Sequence, residues 1–89
     1  MYVKKILVTG GAGFIGANFV EYFASKYPNY CVVDLDNLTY AANHDAWVSQ
    51  ASMSNVVPVE GDIRNADLVR FLLRNYDVTG VIHFAAESH

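Results

Sequence analysis

A glycine-rich stretch and an acidic residue beyond it have residue types and a spacing that are suited to binding a phosphorylated ligand. The stretch TGGAGFIG, residues 9–16, contains two overlapping motifs, G-x-G-x-x-G and G-x-x-G-x-x-G. The glycines concerned are Gly10, Gly11, Gly13 and Gly16. Glycine permits a tight turn, close approach of the backbone to a pyrophosphate and close packing of the following helix. Asp36 lies 20 residues beyond Gly16, where a carboxylate can accept the hydroxyls of an adenosine ribose. The pattern predicts a dinucleotide site.

The residues around Asp36 favour NAD over NADP as the dinucleotide. An NADP site needs a basic residue for the 2′-phosphate, and residues 34–45 contain neither Lys nor Arg. Asp34 is the competing acid, but it falls earlier in its strand and we expect it to point elsewhere. In the segment GDI, Asp62 is a candidate to bond the adenine amino group while Ile63 packs on the ring. A turn aspartate that leads into a helix is an equally good interpretation of Asp62.

These residues need a scaffold of strands and helices, and the apolar pattern supplies one. The runs KKILVTG, YCVVDLD, NVVPVEG and GVIHFAA are typical of buried strands, and helical patterns separate them. The alternation predicts an α/β fold, the first half of a Rossmann-like doubly wound parallel sheet with about four strands. Pro58 removes a ladder donor, so the third strand is expected at the sheet edge. We expect residues 1–89 to be the N-terminal part of a Rossmann NAD-binding domain, without the catalytic remainder and the substrate domain.

Burial and capping can also be predicted for individual residues. The apolar stripe expected along the first helix is Ile15, Phe19 and Phe23, with Val20 beside them. Cys31, the only cysteine, is expected in the core, and His83 is expected to be buried and hydrogen-bonded. Asn65 is the predicted N-cap of the helix in RNADLVRFLLRNYD, whose stripe is Leu68, Leu72 and Tyr76.

Composition narrows the possible partners. The formal net charge is −3, and the six basic residues are scattered, which argues against nucleic acid or a membrane surface as a partner. Apolar residues make up 53% of the chain, but Lys, Asp and Asn interrupt them too often for a spanning helix of about 20 apolar residues. We predict no metal site. The start of the chain lacks the pattern of a signal peptide, so a cytoplasmic location is expected.

Four blocks of the sequence together resemble the extended short-chain dehydrogenase/reductases, and among them the enzymes that dehydrate nucleotide-activated sugars. The blocks are ILVTGGAGFIGANFV, VVDLDNLTYAAN, VEGDIRN and VIHFAAESH. They cover nearly the whole chain but only about the first third of a family member. The resemblance implies a set of NAD contacts: Phe14 and Ile15 at the pyrophosphate, Asp36, Asn37, Leu38 and Thr39 at the ribose, Asp62 and Ile63 at the adenine, and Phe84, Ala85, Ala86, Glu87 and Ser88 along the nicotinamide half. It also implies that Ser88 faces the sugar nucleotide.

The resemblance further implies an activity for the parent protein. An NAD-dependent lyase of this kind oxidises C4 of a nucleotide-activated hexose, and the expected hexose here is dTDP-glucose. It then removes water across C5 and C6 and returns the hydride to C6, and the parent is expected to be a homo-oligomer, a dimer. The catalytic Tyr-x-x-x-Lys pair of the family would come after the fourth strand, so the 89 residues alone are expected to be inactive. Tyr22 and Lys26 have that spelling, but they fall too far along the first helix to serve.

Two other functions remain open at this point. The segment DNL at Asp36 is also similar to UDP-glucose 4-epimerases, in which a downstream Thr or Ser would stand without the Asp-Glu pair that dehydrates the sugar. A non-catalytic NAD-binding module, such as a redox-sensing regulator, would share the same fold. A downstream Tyr-x-x-x-Lys pair would argue against that module.

Overall fold

The computed structural model describes residues 4–38 and 44–84 and has alternating strands and helices. In chain order the elements are β1 (Lys4–Thr9), α1 (Phe14–Lys26), β2 (Tyr30–Asp36), α2 (His44–Ala51), β3 (Val56–Glu60), α3 (Ala66–Asn75) and β4 (Gly80–His83). The predicted Rossmann-like α/β fold is confirmed.

The four strands form one parallel sheet in the order β3-β2-β1-β4. Strand β1 is therefore interior, and Val8 aligns with Asp34 of β2 on one side and with Ile82 of β4 on the other. Pro58 of β3 aligns with Asp34 of β2, and β3 is an edge strand of this sheet, as predicted. All four strands run in one direction, so the ends of β1 and β2 lie at the same edge of the sheet as the glycine turn.

Each face of the sheet carries its own apolar cluster. Helix α1 covers one face through Val20 and Ala24, which pack with Ile6, Val8, Val32 and Val56. Helix α3 covers the other through Leu72, which packs with Leu7, Cys31, Val33 and Leu35. The core position of Cys31 is confirmed, and so is the stripe of α3, because Leu68 and Tyr76 pack against the second cluster.

The predicted stripe of α1 was wrong at Ile15, which is 68% exposed. The buried residues of this helix are Gly16, Ala17, Val20 and Ala24, and Phe19 and Phe23 are partly buried against the same cluster. Ile15 has the right spacing, but it lies in the first turn of α1, next to the end of the sheet and not over its face. The exposed side chain is therefore free to line a site at that edge.

Strand β4 is shorter than predicted and leaves His83 exposed, which corrects the expectation of a buried histidine. The ring of His83 is nevertheless hydrogen-bonded through Nδ1 to Oγ1 of Thr9. The face of β4 that bears His83 also bears Val81, which is 56% exposed, and no residue of β4 belongs to the cluster under α3. The backbone N–H of Phe84 still donates to Thr9 O at 2.7 Å, which extends the contact with β1 by one residue.

Two asparagines hold the ends of helices. Oδ1 of Asn65 accepts from the backbone N–H of Leu68 at 3.1 Å, so the predicted N-cap of α3 is confirmed. Asn55, which the sequence did not single out, is 6% exposed and donates from Nδ2 to the carbonyls of Ala24 and Tyr30, each at 3.0 Å. Asn55 therefore ties the C-terminal half of α1 to the start of β2.

None of the helices within residues 4–38 and 44–84 has the length and apolar character needed to cross a membrane.

Candidate functional site

The glycine stretch forms a tight turn between β1 and α1. Gly10 has a positive φ of 80°, a backbone conformation that favours glycine, and its N–H donates to Leu35 O at 2.9 Å. Its carbonyl accepts from the N–H of Gly13 at 3.2 Å, which closes the turn. A Cβ at Gly16 would overlap the Gly10 carbonyl oxygen, so α1 can approach the turn this closely only with glycine there. Positions 10 and 16 therefore each require glycine, one for its backbone conformation and the other for its close approach to the turn.

The N-terminus of α1 is a positively polarised helix end whose N-cap residue has no side chain. This residue is Gly13, which makes no side-chain capping bond, and no acidic residue lies in the first turn of the helix. The first N–H groups of an α-helix have no acceptor within the helix, and the helix dipole adds partial positive charge there. Phe14 and Ile15 flank this end and are 79% and 68% exposed. Such an end is suited to an anion such as a pyrophosphate.

Asp36 joins the end of β2 to the glycine turn. Its Oδ2 accepts from the N–H of Ala12 at 2.9 Å, and its Oδ1 accepts from the N–H of Leu38 at 2.8 Å. Asp36 is partly exposed, and an ionised carboxylate has about four lone-pair sites, so its oxygens can still accept hydroxyl groups. Leu38 has a positive φ of 53°, which is uncommon outside glycine and turns the chain sharply after Asp36. The carboxylate and the turn that would hold a phosphate are thus in direct contact.

Asp34 does not point away from the site, and that expectation was wrong. Residues two apart in a strand share a face, so Asp34 and Asp36 both extend toward the glycine turn. Asp34 is fully buried, and its Oδ1 accepts from the N–H of Gly11 at 3.0 Å. The pKa of Asp34 is raised to about 7, mainly because the carboxyl is buried and secondly because Asp36 is a neighbouring negative charge. The hydrogen bond from Gly11 lowers the pKa and so opposes these two effects. Asp34 lies beneath the turn, and Asp36 lies beside it.

Asp62 is held by its own segment in this structure. Its carboxylate accepts from the backbone N–H of Arg64 at 2.8 Å and forms an ion pair with the guanidinium at 2.7 Å. The Arg64 side-chain hydrogen bonds are the main reason that the pKa of Asp62 is lowered to about 2. This geometry is that of a turn aspartate, the second of the two interpretations. Ile63 beside it is 39% exposed, and the adenine contacts of both residues stay a prediction.

Of the remaining predicted cofactor contacts, the structure describes Asn37 and Phe84. Asn37 is exposed next to Asp36, and Phe84 packs against Phe19 of α1 with ring centroids 5.5 Å apart. Thr39, Ala85, Ala86, Glu87 and Ser88 lie outside the described residues. Gln50 of α2 was missed: it is fully buried, and its Nε2 donates to Gly11 O at 2.8 Å. A polar residue in an otherwise unremarkable helical stretch gave no signal of this contact.

Tyr22 and Lys26 lie at the far end of α1 from the glycine turn, as expected for a chance match. Lys26 is the last residue of the helix, which is about 20 Å long at 1.5 Å per residue. Tyr22 is 61% exposed, and the Lys26 ammonium lies 5.6 Å from the centre of its ring.

Comparison with known proteins agrees with this geometry. A sequence model of the GDP-mannose 4,6 dehydratase family matches residues 7–89. The chain belongs to the GDP-mannose 4,6 dehydratase family. The resemblance to enzymes that dehydrate nucleotide-activated sugars is thereby confirmed at the level of the family.

Individual proteins also match this chain in sequence and structure. The dTDP-glucose 4,6-dehydratase of Mycobacterium tuberculosis is 46% identical over 86 residues, which are 96% of this chain and 24% of that protein. The crystal structure of dTDP-glucose 4,6-dehydratase from Bacillus anthracis in complex with NAD matches with a TM-score of 0.90 and 41% identity, over 96% of this chain and 27% of that one. UDP-glucose 4-epimerase from Brucella ovis in complex with NAD gives a TM-score of 0.75 and 32% identity, over 98% of this chain and 24% of that one. The chain thus spans about a quarter of the length of the curated relatives that it matches.

Proposed function

We propose that this chain is the NAD-binding part of a nucleotide-sugar 4,6-dehydratase whose substrate is dTDP-glucose. The observation that carries the proposal is the contact between Asp36 and Ala12, which brings a carboxylate within 2.9 Å of the backbone of the glycine turn. In a dinucleotide the adenosine ribose adjoins the pyrophosphate, so one site needs a hydroxyl acceptor next to a phosphate-binding turn. This chain supplies both from the ends of two adjacent strands.

The residues of the chain would bind and orient the cofactor. The N–H groups at the start of α1 would bind the pyrophosphate, and the Asp36 carboxylate would accept the ribose hydroxyls. The resemblance adds Asn37, Leu38 and Thr39 at the ribose, and residues 84–88 along the nicotinamide half. When bound, NAD supplies a hydride acceptor and donor.

The parent protein would oxidise C4 of the sugar, lose water across C5 and C6 and return the hydride to C6. Ser88 is the residue of this chain that we assign to the sugar nucleotide. The resemblance implies that the catalytic tyrosine, lysine and acid pair come after the fourth strand, so we propose that the 89 residues alone would not turn over. We keep a homodimer as the proposed assembly of the parent and the cytoplasm as its proposed location.

Calorimetric titration of the 89-residue chain with NAD⁺ and separately with NADP⁺ tests the cofactor proposal. We expect NAD⁺ to bind more tightly than NADP⁺, because Asp36 repels a 2′-phosphate and residues 34–45 lack a basic partner for it. Asp36→Ala should weaken NAD⁺ binding by at least tenfold, whereas Asp77→Ala, an exposed acid after α3, should leave it unchanged. Equal binding by wild type and Asp36→Ala would refute the assignment of the ribose site.

Mass spectrometry on the full-length parent tests the reaction. A dehydratase converts dTDP-glucose to a product lighter by one water, whereas a UDP-glucose 4-epimerase, the second candidate, yields an isomer of unchanged mass. The dehydratase is favoured because the sequence match to it is closer, with 41% identity to the Bacillus anthracis enzyme against 32% to the Brucella ovis epimerase. An isomer formed without loss of water would replace the first proposal with the second. Binding of NAD⁺ with neither product would favour a non-catalytic module.

A further inference from the structure

Two buried side chains hold the backbone of Gly11 from beneath the glycine turn. Asp34 of β2 accepts from the N–H of Gly11, and Gln50 of α2 donates to its carbonyl, at 3.0 and 2.8 Å. Both side chains are fully buried, so neither hydrogen bond competes with water. A Cβ on Gly11 would overlap the Asp34 carboxyl group, which shows how closely that group lies under the turn. The two polar groups of one loop residue are thus fixed by two different elements.

Each of these side chains also has a buried oxygen without a hydrogen-bond partner among the described residues. These atoms are Oδ2 of Asp34 and Oε1 of Gln50. An ionised carboxylate with an unpaired buried oxygen is costly, because it has lost water and gained no donor. A proton on Oδ2 removes the charge and turns that oxygen into a donor, while Oδ1 keeps its bond to Gly11. The geometry therefore favours the neutral acid.

The charges around Asp34 favour the same protonation state. Asp36 lies on the same face of β2, and Val8 and Pro58 are the uncharged neighbours on β1 and β3. Further acids lie on the packed elements, and the basic residues of these elements lie at distant or exposed ends. The acids are Glu60 on β3, Glu21 on α1 and Asp45 on α2; the basic residues are Lys4 and Lys5 at the opposite end of β1, Lys26 at the end of α1 and His44 at the exposed start of α2. Burial and the Asp36 charge accordingly raise the pKa of Asp34 to about 7.

We propose that Asp34 and Gln50 are positioning residues for the phosphate-binding turn, and that Asp34 acts as the neutral acid, so that its ionisation weakens dinucleotide binding. The inference rests on the proposed function. Ionised Asp34 would place a second negative charge beside Asp36, directly under the turn that would hold two phosphates. Gln50 connects the turn to α2, so that helix is tied to the same glycine that Asp34 holds from β2.

Calorimetric titration of the 89-residue chain with NAD⁺, from about pH 6 to about pH 8.5, tests the inference across the range in which Asp34 would ionise. We expect wild-type affinity to fall roughly tenfold over this range, as for one added charge close to a bound diphosphate. Asp34→Asn keeps an acceptor for Gly11 and stays neutral, so it should bind at high pH as wild type does at low pH, without pH dependence. The matched control Asp77→Asn, an exposed acid after α3 that lies on none of the elements packed against Asp34, should keep the wild-type pH profile.

Two results of this titration would overturn the inference. One is an Asp34→Asn variant that keeps the pH dependence, which would assign the titration to a group other than Asp34. The other is weak binding by Asp34→Asn at every pH, which would mean that the turn needs the anion. Gln50→Met, which keeps the length of the side chain but not its amide, should weaken binding at every pH, whereas Ser49→Ala on the exposed side of α2 should not. Unchanged binding by Gln50→Met would remove Gln50 from the inference.

An NMR titration without NAD⁺ separates this inference from the proposed function. We expect the Asp34 carboxyl carbon to titrate near pH 7 and the amide proton of Gly11 to shift with the same midpoint. A carboxyl that titrates near the ordinary value of 3.8 would refute the neutral acid. If the carboxyl titrates near 7 but the wild-type chain binds no NAD⁺, then the proposed function and the effect on affinity fail, while the protonation state and the contacts with Gly11 stand.

Discussion

The carbonyl oxygen of Gly10 occupies the space in which a side chain on Gly16 would begin. The first turn of α1 therefore rests directly on the turn that follows β1, with backbone against backbone. A backbone group cannot rotate aside as the end of a long side chain can. This contact fixes the direction in which the helix end, with its N–H groups, faces the edge of the sheet.

Alanine substitutions at two glycines of the turn should separate stability from cofactor binding. Gly16→Ala should lower the free energy of unfolding by roughly 1–3 kcal/mol, because its Cβ overlaps the backbone of Gly10 and Gly11. Gly13→Ala should cost less, because the nearest atom to its Cβ is 3.5 Å away and its φ is −74°, so that only the preference for glycine over alanine at an N-cap is lost. It should still weaken NAD⁺ binding, because its methyl group would lie at the helix end assigned to the pyrophosphate. Denaturant unfolding and calorimetry measure the two effects, and equal stability of the two variants would contradict the contact.

The stability of the chain should fall as the pH rises from about 4 to about 7, owing to Asp34. Burial raises the pKa of this carboxyl from 3.8 to about 7, so in that window the folded state holds a proton that the unfolded state has released. The loss should be on the order of 4 kcal/mol, at about 1.4 kcal/mol per pKa unit, and should level off above pH 7. Asp34→Asn should remove this part of the dependence and be more stable than wild type at pH 8. Urea unfolding of both proteins at several pH values measures it, and parallel pH profiles would show that Asp34 is ionised in the fold.

Asn55→Ala should destabilise the chain by roughly 2–3 kcal/mol, because the carbonyls of Ala24 and Tyr30 would each lose their buried donor. For a domain of this size the melting temperature should fall by about 10 °C or more. Asn29→Ala, at an exposed position before β2, makes the same substitution and should have little effect. Thermal unfolding followed by circular dichroism compares the two, and similar melting temperatures would mean that the Asn55 bonds contribute nothing net.

Asn65→Ala should cost about 1 kcal/mol, because α3 would lose the side-chain acceptor at its first turn. Asn65→Asp and Asn65→Ser should keep most of the stability, because both residues can accept the same bond from Leu68. The matched control is Asn75→Ala at the last residue of α3, where no N-cap is involved. Denaturant unfolding of the four variants gives the ranking. A loss at Asn75 equal to that at Asn65 would point to helix propensity rather than capping.

The arrangement of strands was predictable because it depends on strong local signals. Unbroken apolar runs, a proline in the third run and helical stretches long enough for crossovers define the parallel sheet and its edge. The glycine turn and Asp36 were predictable because their spacing is that of one helical crossover between two adjacent parallel strands.

The contacts beneath the turn were harder to predict because they join residues far apart in sequence. Asp34 could have been placed from the alternation of side chains along β2, which puts it on the same face as Asp36. Gln50 could not, because it meets Gly11 from 39 residues away and only the packing of α2 brings them together. Ile15 and His83 were mispredicted for the same reason. Their spacing suits burial, but whether a side chain is buried depends on which element packs over it.

Strand β1 pairs on one side with a strand close to it in sequence and on the other side with a strand far along the chain. Its neighbour β2 follows within 30 residues, but β4, which pairs with Ile6, Leu7, Val8 and Thr9 on the other side, begins only at Gly80. On the ribosome, where chains grow N-terminus first, one edge of this apolar strand stays open until residues 80–83 have been made. An open apolar edge is a template for pairing with another chain, so nascent chains that stall before residue 80 should depend most on chaperones.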